Sequence, residues 1–196
     1  MPDVGERPRL PAVFVDRDGT LIEEVGCLGD PADVIVLPGS AEAVRRLNEA
    51  GMPVVAVTNQ AWVARGRLTH DHVEAVNAEV VARFAAAGAR IDAVYFCPHH
   101  PTDGEPPWRA ECECRKPAPG MLERAAEVFG IDLARSAVVG DLPSDIALAA
   151  AVGARSILVR TGFGEDQWTN HRHRFTVQPD LVTDDLWAAV DWLLSR

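Results

Sequence analysis

Pro11-Ala12-Val13-Phe14-Val15-Asp16-Arg17-Asp18-Gly19-Thr20 runs from five apolar residues straight into two acids one residue apart. The short apolar run reads as a buried strand. Carboxylates this close repel each other, and a cation between them removes the repulsion. In an open sheet of parallel strands, ligands bind beyond the carboxyl ends of the strands. The stretch therefore predicts an architecture and the edge at which its chemistry sits.

Working outward, residues 54–57, 91–96, 137–139 and 156–159 read as further apolar strands. Helical spacing of apolar residues predicts helices over 40–50, 69–87, 120–129, 144–152 and 186–194. Ser40 is expected to cap the first of these, and Gly51, Gly88 and Gly130 to stop the first three. Strands alternating with helices imply a parallel sheet covered on both faces. The expected fold is a three-layer, Rossmann-like α/β domain spanning residues 1–196. Two segments break the rhythm. Residues 97–116 are rich in Pro, Cys and His, and 164–174, where His171 and His173 flank Arg172, reads as a solvated loop.

The 196 residues carry a formal charge of -10, which argues against a nucleic-acid partner, because phosphate backbones are bound through Lys and Arg. No apolar run approaches the roughly 20 residues that span a bilayer, and the first residues lack a signal-peptide pattern. A cytoplasmic monomer with neither a membrane nor a nucleic-acid partner is expected. In that reducing compartment, four cysteines point to metal or catalysis before disulfides.

The strand ends share a chemical theme. Asp16 and Asp18 follow the first strand, Thr58-Asn59-Gln60 the second, and Gly140-Asp141 the fourth, with Asp145 just beyond. Lys116 closes the irregular segment. A hard dication such as Mg²⁺ suits the acids. Thr58 and Lys116 suit phosphoryl oxygens. One carboxylate can attack phosphorus while a second passes a proton.

Together FVDRDGT, VTNQ, RKP and VVGDLPSDIALAAAVGA resemble the haloacid dehalogenase (HAD) superfamily of phosphatases. The resemblance implies that Asp16 is the nucleophile and Asp18 the general acid and base. It implies that Thr58 and Lys116 contact the phosphoryl group. It gives Mg²⁺ the ligands Asp16, Asp141 and the backbone carbonyl of Asp18. Asp145 either joins the outer shell of that metal or simply begins a helix.

In CPHHPTDGEPPWRAECECRKPAPGM, Cys97, His99, Cys112 and Cys114 form a Cys₃His set suited to a four-coordinate, structural zinc in the 97–114 loop. His100 is the neighbour with which His99 exchanges on sequence grounds. The segment is similar to that of one branch, the D-glycero-D-manno-heptose 1,7-bisphosphate phosphatases and the histidinol-phosphate phosphatases. That branch has no large cap, and residues 23–37 are too few to fold as one. The resemblance places Asn59, Arg65 and Arg115 at substrate-contacting positions. It implies removal of the C7 phosphate of the heptose bisphosphate, a small phosphorylated sugar, in nucleotide-activated heptose synthesis for lipopolysaccharide or a secondary metabolite. Histidinol phosphate, with one phosphate and a cationic amine, is the rival substrate. Two departures stand out: Trp62 where the branch has glycine, and Leu142 where it has lysine. Trp62 has two readings, a platform for a sugar face or a core filler.

Overall fold

The computed structural model describes residues 9–196. Six strands form one sheet: β1 (Val13–Val15), β2 (Val54–Asn59), β3 (Ala93–Cys97), β4 (Ala137–Gly140), β5 (Arg155–Val159) and β6 (Leu181–Thr183). Their order is β3-β2-β1-β4-β5-β6, and every pairing is parallel. The helices are α1 (Ser40–Glu49), α2 (His70–Ala86), α3 (Gly120–Phe129), α4 (Pro143–Ala151), α5 (Gly164–Asn170) and α6 (Leu186–Leu194).

Side chains alternate between the faces of a strand, so successive residues of the central strands feed different cores. Val13, Val15, Val54, Ala56 and Val139 pack with Leu47 of α1, Phe84 of α2 and Val190 of α6. Phe14, Val55, Val57 and Val138 pack with Leu122 of α3 and Leu148 of α4. Three layers result, with β1 buried at the centre. The chain winds outward from β1 to β2 and β3 on one side, and from β4 to β6 on the other. The switch between β1 and β4 opens a crevice at the carboxyl ends of the strands.

Several boundaries differ from those expected. β2 continues through Thr58 and Asn59, and β3 starts at Ala93 and ends on Cys97. Ser40 does not cap α1. Gly39 takes the cap with a left-handed φ of 78°, a conformation glycine adopts without steric cost, and Ser40 opens the helix. Its hydroxyl donates to the Thr20 carbonyl at 3.2 Å, tying α1 to the turn after β1. The 164–174 segment is not a loop, because it folds as α5 and a 3₁₀ turn, Arg172–Arg174. Trp168 meets Phe175 edge to face, with ring centroids 5.7 Å apart, and anchors a helix whose sequence is otherwise polar. β6 was not expected either: three half-buried residues leave too short a pattern to read.

Residues 23–37 contain one 3₁₀ turn, Pro31–Asp33, and return through a bridge between Ile22 and Val36. No separate cap forms there. Among the described residues, no helix is long and apolar enough to cross a membrane.

Candidate active site

Lys116 is the hub of the crevice. Its Nζ lies 2.9 Å from Asp16 Oδ2 and 2.7 Å from Asp145 Oδ1, and donates to the Val57 carbonyl at 3.0 Å. All three charged side chains are buried. The two carboxylates raise the Lys116 pKa although burial opposes them, so the ammonium stays charged. Asp145 is the third residue of α4, and its other oxygen accepts from the Leu142 amide at 3.1 Å. That hydrogen bond fits the helix-starting role expected of it, and its place beside Asp16 and Asp141 leaves the outer-shell role open. Gripping Lys116 is a further role that the sequence reading did not foresee. Gly140 makes room for it: a Cβ there would lie 2.3 Å from the carboxyl carbon of Asp145.

Asp16 and Asp141 face each other across the switch point. Asp16 Oδ1 accepts from the Arg17 amide at 2.7 Å, and Asp141 Oδ2 accepts from the Phe163 amide at 2.8 Å. Asp141 Oδ1 is buried with no hydrogen-bond partner. The carboxylates of Asp16, Asp141 and Asp145 supply oxygens all within 4.8 Å of one another. Burial pushes Asp16 up to about 7 against the pull of Lys116. Burial first, and then the charge of Asp16, push Asp141 well above the carboxylate range. An orphaned oxygen among mutually destabilised carboxylates is a donor set that fits a hard dication. The charge balance agrees: among the described residues, Asp16, Asp18, Asp141 and Asp145 form ion pairs with Arg17 and Lys116 alone.

The Asp18 side chain lies outside that oxygen cluster, leaving its backbone carbonyl for any metal role. Its carboxylate accepts from Arg17 Nη2 at 2.9 Å, Gln60 Nε2 at 2.7 Å and Thr58 Oγ1 at 3.3 Å. Arg17 is 1% exposed and also donates to Asn77 Oδ1 at 2.7 Å. Sequence gives Arg17 and Asn77 no part in the site, and names Gln60 at a strand end without a role. The signal for Asn77 was present: a polar residue on the buried stripe of Val73, Val76 and Val80.

The Cys/His segment folds as expected around four convergent ligand atoms. The three sulfurs of Cys97, Cys112 and Cys114 are 3.1, 3.4 and 3.5 Å apart, and His99 Nδ1 is 3.4 Å from Cys114 Sγ. A zinc tetrahedron with bonds of about 2.3 Å has edges of about 3.8 Å, so the set fits after slight expansion. The hydrogen bond shared with Cys97, outweighing burial, brings Cys114 down to about 5, while the same bond and burial push Cys97 up, so the pair shares a proton that a metal would displace. A thiolate at neutral pH is what a metal needs. His100 is elsewhere, its Nδ1 accepting from the Asp103 amide at 2.9 Å.

The three expected substrate contacts are differently placed. Asn59 lines the cavity, but both ends of its amide hold Lys116: Nδ2 donates to the Lys116 carbonyl at 3.1 Å, and Oδ1 accepts from its amide at 3.0 Å. Arg115 donates to the His99 carbonyl at 3.0 Å and lines a groove that adjoins Lys116. Arg65 pairs with Asp103 at 2.8 Å and does not line the cavity. The cavity itself measures about 70 Å³ and has Glu24 at its wall. A larger one, about 550 Å³, lies at the opposite edge of the sheet beside Ser136 and Arg155, away from these groups.

Comparison with known proteins agrees with this geometry. The model of the HAD-hydrolase-like family matches residues 113–189. A D-glycero-D-manno-heptose-1,7-bisphosphate 7-phosphatase from Thermosynechococcus vestitus is 44% identical over 95% of this chain and 96% of its own. The D-glycero-beta-D-manno-heptose-1,7-bisphosphate 7-phosphatase of Escherichia coli K12 is 39% identical over 95% of this chain and 89% of its own. The crystal structure of D,D-heptose 1,7-bisphosphate phosphatase from B. bronchiseptica, complexed with magnesium and phosphate, superposes with a TM-score of 0.81 at 34% identity, covering 95% of this chain and 99% of that one. With nearly full-length relatives of this kind and the acids gathered where the fold demands them, the chain belongs to the heptose-1,7-bisphosphate 7-phosphatase family of HAD-like hydrolases.

Proposed function

We propose that this protein removes the C7 phosphate of D-glycero-D-manno-heptose 1,7-bisphosphate through an aspartyl-phosphate intermediate. One observation carries the reading: a buried carboxylate, Asp16, stands between a charged lysine and a half-satisfied Asp141 at the mouth of a small cavity. Asp16 attacks phosphorus while the bond from phosphorus to the C7 oxygen breaks, and Asp18 gives that oxygen its proton. Asp18 then takes a proton from water as the water oxygen attacks the phosphorus. Phosphate leaves and the Asp16 carboxylate is restored. Lys116 neutralises a phosphoryl oxygen, and Thr58 exchanges its bond to Asp18 for one to the phosphoryl group.

Magnesium held by Asp16, Asp141 and the Asp18 carbonyl supplies the positive charge that lets the acids approach a phosphate. The second phosphate is assigned to Arg115 and Arg65, whose planar forks suit it; Arg65 meets Asp103 in a partly exposed pair. Zinc on Cys97, His99, Cys112 and Cys114 keeps the loop that carries Arg115 and Lys116 in place. The enzyme acts as a cytoplasmic monomer on this small sugar, in the synthesis of nucleotide-activated heptose.

A phosphate-release panel tests the substrate, with heptose 1,7-bisphosphate anomers, histidinol phosphate and fructose 1,6-bisphosphate as arms. The heptose bisphosphate is expected to give the highest kcat/KM, and a wide margin for histidinol phosphate would overturn the assignment. Asp16→Asn tests the chemistry. Turnover is expected to fall by about 10³-fold or more while substrate still binds; retained turnover removes Asp16 as the nucleophile.

A further inference from the structure

The segment joining β1 to α1 brings Glu24 to the cavity wall beside Asp18 and Asn59. Both ends of this strap are tied down. At one, the Glu23 amide donates to the Ile35 carbonyl at 2.8 Å. At the other, Leu28 is buried, and a Cβ on Gly29 would lie 2.5 Å from Leu68 Cδ2. Between the anchors, Val25 and Cys27 are exposed. Among the described residues, one hydrogen bond links positions 24–28 to another segment: Trp62 Nε1 donates to the Gly26 carbonyl at 2.9 Å.

Trp62 is itself braced. The Arg65 guanidinium carbon lies 4.9 Å from its ring centroid, within cation–π range. Arg65 Nε donates to Asp103 Oδ2 at 2.8 Å, and Asp103 belongs to the Cys/His loop. That loop presses close here, since a Cβ on Gly104 would lie 1.7 Å from the Ala64 carbonyl oxygen. The indole therefore bonds the strap directly and is tied to the Cys/His loop through Arg65.

We propose that Trp62 is a positioning residue, a latch that holds the 24–27 strap, and Glu24 with it, over the cavity, with Arg65 as its brace. Neither reading made from sequence covers this role. The half-buried indole belongs to none of the core clusters and does not line the cavity; it bonds a backbone carbonyl of the segment that walls the site. Holding the strap in its bound conformation lowers the ordering cost of substrate binding and leaves the reacting carboxylates untouched. The effect on KM rests on the phosphatase reading above, whereas the effect on strap mobility does not.

Trp62→Phe keeps an aromatic face for Arg65 and removes the N–H donor, and Trp62→Ala removes both. Backbone ¹⁵N order parameters for residues 24–27 are expected near the rigid value of about 0.85 in the parent and below about 0.6 in either variant. KM for heptose 1,7-bisphosphate is expected to rise about fivefold, with kcat within about twofold. Zinc content and the order parameters of β1 are expected to match the parent, which separates loss of the latch from misfolding. If Trp62→Ala fails to fold, Trp62→Phe carries the test alone. Parent-like order in the strap overturns the latch. A mobile strap with an unchanged KM overturns its part in substrate positioning. A parent enzyme inactive on the heptose bisphosphate would sink the substrate reading while the order parameters still decide on the latch.

Discussion

Arg17 lies between the two acids of the FVDRDGT stretch and is the largest of the fully buried side chains. A guanidinium so enclosed is tolerable only because its donating edges are answered. Nε and Nη2 fork onto the Asp18 carboxylate, and Nη1 donates to Asn77 on α2. The residue that separates the two acids therefore orients the second of them. Arg17→Met would leave Asp18 and Asn77 facing an apolar side chain. Breaking a buried pair from one side costs about 3–5 kcal/mol, so a loss near that size is expected in urea unfolding. A drop in kcat should accompany it, because Asp18 loses its fork. A stability change under about 1 kcal/mol would mean that Arg17 is not the residue ordering this carboxylate. The pattern D-x-D revealed the two acids. It said nothing of Arg17, because charge in sequence reads as exposure until a partner on a distant helix is known.

At the scale of elements, the loop between β3 and α3 has little regular structure, yet it must present Lys116 to within 3 Å of two acids. Two devices achieve this. The Cys₃His cluster gathers the loop at its ends, with Cys97 closing β3 and Cys114 two residues before Lys116. Asn59, the last residue of β2, then pins the Lys116 backbone from both sides. One zinc per chain is expected by elemental analysis. Cys112→Ser or a strong chelator should remove it and lower kcat/KM by about tenfold or more, restored in the chelated protein by added zinc. Full activity without zinc would show that Asn59 alone suffices. This loop was legible from its cysteines, because paired ligands at short spacing leave few other uses. The same element shows where sequence ran out. Asn59 reads as a substrate contact at its motif position, and only the tertiary structure shows that its amide also holds the Lys116 backbone.

For the whole molecule, burying several carboxylates at one edge has a thermodynamic consequence. In the metal-free protein Asp16 keeps its proton up to about 7, against an unperturbed value of 3.8, and Asp141 is raised in the same sense. The folded state then binds more protons than the unfolded state between those values. Stability of the metal-free protein is therefore expected to fall as pH rises from about 4 to about 7. A dication replaces the protons, so saturating Mg²⁺ should raise Tm more at pH 8 than at pH 5. Calorimetry with and without Mg²⁺ measures the difference, and equal shifts at both pH values would contradict the placement of the metal among these acids.

The alternation of apolar strands with amphipathic helices was enough to specify a parallel sheet with helices on both faces, because periodicity is a local property. The order of motifs along the chain was enough to place acids, hydroxyl and lysine at one edge, because parallel strands all end on the same side. The polar helix α5 and the three-residue β6 escaped that reading, since one tryptophan in a small cluster and an edge pairing hold them. Only the tertiary structure decided which groups neutralise which: Asp145 with Lys116, Arg17 with Asp18 and Asn77, Arg65 with Asp103, Trp62 with Gly26. Most of these partners lie 29 to 60 residues apart. Burial makes a missing partner costly, and which residues share a buried space is set by how the layers pack.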